Sequence, residues 1–102
     1  MQKNKRQVNN FIAECHRIAK EKGWWDEQRN DGELIALMHS ELSEALEAMR
    51  NHAKLDDVAE ELADCCIRIF DYCGAKGIDL EKMLLKKIEY NKSRPYRHGK
   101  KF

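Results

Sequence analysis

At 102 residues, with one proline and five glycines, the chain has room for a single domain of about four helices and little else. Its 42% apolar and 36% charged residues exclude disorder by composition, and no apolar run approaches the roughly 20 residues needed to span a bilayer. The net charge of +1 hides an asymmetry: Glu41 to Glu61 is mainly acidic, whereas Lys86, Lys87, Lys92, Arg94, Arg97, Lys100 and Lys101 face only Glu89 near the C-terminus. The opening MQKNKRQVNN lacks the apolar core of a signal peptide, so a cytoplasmic protein is expected. Cys15, Cys65, Cys66 and Cys73 are then expected reduced, as small buried hydrophobes, since no CxxC or histidine cluster points to zinc.

The first helix is expected from about Lys5 to Lys20, with Val8, Phe11, Ile12, Cys15 and Ile18 on its apolar face and Gly23 ending it. GWWDEQRNDG mixes aromatics, charges and turn residues without a period and reads as a loop. Asp31 is positioned to cap a second helix, whose Leu34, Met38, Leu42, Ala45 and Met49 recur at helical spacing. After a short connection holding His52 and Lys54, a third helix should run from Leu55 to Gly74 or Lys76, with Val58, Leu62, Cys65, Ile69 and Cys73 as its stripe. Gly77 breaks the chain, Asp79 can cap a fourth helix through Asn91, and Pro95 introduces a basic tail beginning at about residue 92. The expected architecture is a compact all-α four-helix bundle in one domain, residues 1–102. So small a chain has a limited core and much Leu, Ile, Met, Phe and Trp to cover, so a homodimer or homotetramer is expected.

Glu41, Glu44, Glu61 and Asp64 form two acidic pairs, each spaced i and i+3, on the second and third helices. Glu41 falls inside an apolar stripe, where an uncompensated charge would cost several kcal/mol, a difficulty that a metal or a paired cation removes. Four carboxylates in reach of one cleft suit a hard divalent ion, Mg²⁺ with Mn²⁺ as the alternative, whose other ligands are water and phosphate. That points to an enzyme acting on a phosphate ester or anhydride. The competing reading is a set of structural or solvent-facing acids, since the stripe Asp57, Glu61, Asp64, Arg68 and Asp71 is equally an outer face or a cleft wall.

The full pattern resembles the all-alpha nucleoside triphosphate pyrophosphohydrolases of the MazG-like type, marked by an ExxE pair on one helix and an ExxD pair on the next. Here these are Glu41-Leu42-Ser43-Glu44 and Glu61-Leu62-Ala63-Asp64, in the context GWWDEQRNDGELIALMHSELSEALEAMR and with a similar tail, YNKSRPYRHGKKF. The likeness covers most of residues 20–102. It implies four main helices, a dimer or tetramer, dependence on Mg²⁺, and hydrolysis of an NTP or dNTP to the monophosphate and pyrophosphate, with nucleotide-pool house-cleaning one such role. Glu41, Glu44, Glu61 and Asp64 are the residues onto which its metal-binding and catalytic role carries over.

Around that set, Trp24 and Trp25 are positioned to stack on a base or close the site, or else to pack under the loop and at a subunit interface. His39 is a further pocket candidate, with capping or packing as its alternative. Lys87, Asn91 and Arg94 are expected nearest the phosphates, Arg as a bidentate donor and Lys as a flexible point charge. The cleft is thus expected between the second, third and fourth helices, completed by a loop or tail from another subunit. Two other functions compete: hydrolysis of another phosphorylated metabolite, and a non-catalytic helical module binding nucleotide or nucleic acid. Nucleic acid is disfavoured because no tract interleaves basic and aromatic residues at a recognised spacing.

Overall fold

The computed structural model describes residues 7–102. The described residues form four α-helices, α1 (Gln7–Glu21), α2 (Asp31–Arg50), α3 (Leu55–Lys76) and α4 (Leu80–Lys92), followed by a 3-10 turn at Tyr96–Gly99, with no strand among them. The start expected at Lys5 lies outside the described residues. No helix among them is long and apolar enough to cross a membrane.

Local chemistry explains most boundaries. Asn30, not Asp31, caps α2, its side chain accepting from the Glu33 N–H at 3.0 Å. Asp31 instead occupies the first helical turn, where its charge favours the positive end of the helix dipole, and pairs with Lys76 at 2.8 Å. Asp79 caps α4 by accepting from the Lys82 N–H at 3.0 Å. Between α3 and α4, Gly77 adopts φ +69°, and the Ile78 N–H returns to the Cys73 carbonyl at 2.9 Å, a left-handed helix stop that a residue without Cβ adopts cheaply.

Helix α3 is the centre of the packing, with α2 along one side and α1 along another. Along the α2 side, Leu34 and Ala45 of α2 and Val58 and Cys65 of α3 are buried, and the Cys65 thiol donates to the Met38 carbonyl at 3.5 Å. Against α1 it sets Phe70 on Phe11, rings stacked at 6.1 Å and 10°, and brings Gly74 so near His16 that a Cβ there would lie 2.6 Å from the His16 Cβ. Helix α4 packs chiefly on α1. Asn9 holds it there: its backbone N–H donates to Glu81 and its side-chain amide donates to Asp79, both at 3.0 Å.

The expected apolar stripes are only partly covered. Ile12, Leu34, Ala45, Val58, Cys65 and Cys73 are buried, while Phe11, Leu42, Met49 and Leu62 remain about half exposed, and α4 buries no residue at all. The radius of gyration is 16.4 Å, against about 13 Å for a compact domain of this length. The chain exposes 8452 Å², where a compact monomer of its mass would expose about 6,000 Å².

Candidate metal centre

Helices α2 and α3 bring the acidic pairs together. Glu41, Glu61 and Asp64 each offer a carboxylate oxygen, and these oxygens lie within 4.8 Å of one another. Glu41 is buried, Glu61 half-buried and Asp64 exposed, so the cluster runs from the helix interface to solvent. Glu44 stands outside this closest trio but adjoins Glu61. Partial burial first, then the charges of Glu44, Asp64 and Glu41 and a hydrogen bond with Glu44, push the Glu61 carboxyl above its ordinary range. An octahedral ion with oxygens at about 2.1 Å holds its ligands roughly 3–4.2 Å apart, so small rotamer changes would fit this trio around Mg²⁺, with water completing the shell.

Glu41 already has a partner within the chain. The Arg68 Nε–H donates to Glu41 Oε2 at 2.6 Å, with the Glu41 side chain 10% and the Arg68 side chain 35% exposed. The buried carboxylate is therefore compensated by an arginine one turn beyond Asp64, and any metal at Glu41 shares it with that arginine. Sequence alone places Arg68 in the polar stripe of α3 without revealing this role.

Beside the acids lies a cleft of about 240 Å³, lined by Glu41, Asp64 and Arg68, by Trp24 and Arg29 of the loop, and by Lys22 and Cys15 among others. The stripe of α3 is thus a cleft wall from Asp64 through Arg68 to Asp71. Arg29 sits 5.7 Å from the Trp24 ring and 5.5 Å from the Trp25 ring, so one guanidinium braces both indoles. Trp24 lines the cleft and is 59% exposed, leaving its indole available to a ligand.

Trp25 does not line the cleft; it anchors the loop. Its Nε1–H donates to Asp71 Oδ1 at 2.8 Å, His16 Nδ1 meets the same oxygen at 2.8 Å, and the His16 and Trp25 rings meet edge to face. Neither His16 nor the latch role of Asp71 is announced by any local motif. Cys15 reaches the cleft, but burial, followed by the Asp71 and Glu14 charges, pushes its thiol up, away from thiolate chemistry. Burial does the same to Cys65 and Cys73.

The cleft expected between the second, third and fourth helices is instead formed by α1, the aromatic loop, α2 and α3. His39 is exposed on α2 and is not part of its lining. Lys87, Asn91 and Arg94 are likewise absent from it, because the Asn9 contacts draw α4 toward α1 rather than across the acids. Instead, Lys87 Nζ of α4 and the guanidinium of Arg94, just beyond the end of that helix, both approach the Tyr90 ring, at 4.8 and 5.3 Å. Comparison with known protein families, curated proteins and solved structures gives no match to this chain.

Proposed function

We propose that the chain is a Mg²⁺-dependent nucleoside triphosphate pyrophosphohydrolase of the MazG-like type, releasing a nucleoside monophosphate and pyrophosphate. The observation that carries this reading is the convergence of Glu41, Glu61 and Asp64 from two helices at the edge of a cleft that also holds Trp24, Lys22, Arg29 and Arg68. Bound by the acids, Mg²⁺ supplies positive charge to the triphosphate oxygens and an acidified water at neutral pH.

The chain's own residues do the rest. Trp24 offers a flat apolar face to the base, with the Arg29 guanidinium 5.7 Å from its ring. Lys22, Arg29 and Arg68 place fixed positive charge along the cleft, where phosphate oxygens are recognised and the charge that develops on the leaving pyrophosphate is stabilised. The carboxylates orient the attacking water toward the α-phosphorus and accept its proton. Cysteine plays no part, since the thiol nearest the cleft is held protonated.

A second reading is favoured by the Glu41–Arg68 bond: an internally neutralised acid–arginine network in a helical module that binds nucleotide without cleaving it. Turnover of a panel of NTPs and dNTPs with Mg²⁺, read as products before any added pyrophosphatase, separates the two. Monophosphate with pyrophosphate is expected, and Glu61→Gln should lower kcat/KM at least about tenfold, or 1.4 kcal/mol. Nucleoside diphosphate with orthophosphate would reject attack at the α-phosphorus, and binding without turnover would select the second reading.

A further inference from the structure

The loop that admits Trp24 to the cleft hangs from one carboxylate. Across residues 22–30 only Trp25 and Arg29 are half-buried, and every other residue is exposed. Arg29 stands against the two indoles, at 5.7 and 5.5 Å, so its place follows theirs. Among the described residues, the one side-chain hydrogen bond from residues 22–29 to another element is the Trp25 Nε1–H donating to Asp71 Oδ1 at 2.8 Å. The Asp71 side chain is 14% exposed at the cleft wall, so its charge needs donors. The same oxygen has a second one, His16 Nδ1, also at 2.8 Å. An ionised carboxylate only accepts, so His16 carries its proton on that nitrogen. The His16 side chain, 18% exposed, closes the triangle by meeting the Trp25 ring edge to face at 5.5 Å. Gly74, one turn beyond Asp71, makes room for it, since a Cβ there would stand 2.6 Å from the His16 Cβ. Helix α1, the aromatic loop and α3 are thus joined at a single oxygen.

We propose that Asp71 is a positioning residue for nucleotide binding: by holding the Trp25 N–H it keeps Trp24 and Arg29 in the cleft, and so sets affinity for the base without entering the chemistry at Glu41, Glu61 and Asp64. Direct contact with the nucleotide is disfavoured, because Asp71 Oδ1 already accepts from two groups and a carboxylate repels a triphosphate. A loop released from Asp71 presents Trp24 correctly for only a fraction of the time. Apparent affinity then falls by that fraction, while turnover from the filled site is unchanged. That role rests on the reading of the cleft as a nucleotide site, whereas the three-way contact stands without it.

Kinetics on the full chain with dATP, dCTP, dGTP and dTTP in Mg²⁺ test the role. Asp71→Ala removes the acceptor, and Trp25→Phe removes the donor but keeps an aromatic ring. On the dNTP turned over fastest, each should raise KM about tenfold with kcat within about twofold of wild type. The double variant should do no worse than either, since both break one bond. Asp71→Asn, whose amide oxygen still accepts from the indole, should recover most of the loss. Additive losses, a KM unmoved in Trp25→Phe, or a fall in kcat in place of the rise in KM would overturn the positioning role. Should Asp71→Ala lose helix content by circular dichroism, Trp25→Phe alone carries the KM test, and should nucleotides bind without turnover, Kd takes the place of KM. A second measurement needs no nucleotide. The chain has two tryptophans, so in a Trp24→Phe background Trp25 alone fluoresces as indole, and Asp71→Ala should shift its emission to the red and increase its quenching by acrylamide. Emission and quenching that ignore Asp71→Ala would overturn the latch. A wild type that neither binds nor turns over any of the four would overturn the affinity role by removing the nucleotide site, with the fluorescence shift still marking Asp71 as the anchor of the loop.

Discussion

Replacing Arg68 with Met keeps most of the side-chain volume while removing the cation that meets Glu41 Oε2 at 2.6 Å. Breaking a fully buried ion pair costs about 3–5 kcal/mol. Arg68 is 35% exposed, so water replaces part of the lost interaction and a loss of roughly 1.5–3 kcal/mol is expected. For a domain of this size, about 2 kcal/mol lowers the thermal midpoint by roughly 8–16 °C. Mg²⁺ should then return more stability to Arg68→Met than it adds to the wild type, because Glu41 no longer shares its charge with an arginine; saturation at 100 times Kd contributes about 2.7 kcal/mol. Circular-dichroism melts at one fixed chain concentration, in chelator and in Mg²⁺, measure both effects, and Glu41→Gln with the double variant completes the cycle. A loss below about 0.5 kcal/mol, additive with Glu41→Gln, would refute the dependence of Glu41 on a paired cation. Midpoints that ignore Mg²⁺ in both chains would refute the metal centre.

Glu61 provides a pH test. Burial and neighbouring acids raise its folded pKa above the ordinary 4.5, so the folded chain binds this proton more tightly than the unfolded one and stability falls as pH rises from 4.5 through the raised value. In metal-free buffer, Glu61→Gln should therefore melt higher than the wild type at neutral pH and converge with it in acid; a lower neutral-pH midpoint for the variant would contradict the repulsion. Gly74→Ala tests the α1–α3 approach, since its Cβ would meet the His16 Cβ at 2.6 Å and the Ile12 carbonyl at 3.3 Å. Urea unfolding should show a loss of about 1–3 kcal/mol despite the roughly 1 kcal/mol that alanine gains over glycine in a helix, and a neutral result would mean that the helices sit farther apart.

Much of this protein is decided within one or two helical turns, and that much is legible in the sequence. The stripes of α2 and α3, the Asp79 cap and the left-handed Gly77 follow from contacts at i+3 and i+4 and from the freedom of a residue without Cβ, so the all-helical architecture and the pairing of acids on each helix can be read directly. The cap of α2 was less legible because Asn30 and Asp31 are both good capping residues, and only the backbone shows which one is still extended. Tertiary structure alone decided what meets across the helices. Arg68 reaches Glu41 over 27 positions, Trp25 reaches Asp71 over 46 and His16 reaches Asp71 over 55. No periodicity encodes those distances; they are set by where α1 and α2 cross α3. The same crossings turned the α3 acids into a cleft wall, admitted Trp24 to it, and set α4 against α1, leaving Lys87, Asn91 and Arg94 out of the lining, because a helix records which face is polar but not which neighbour that face will meet.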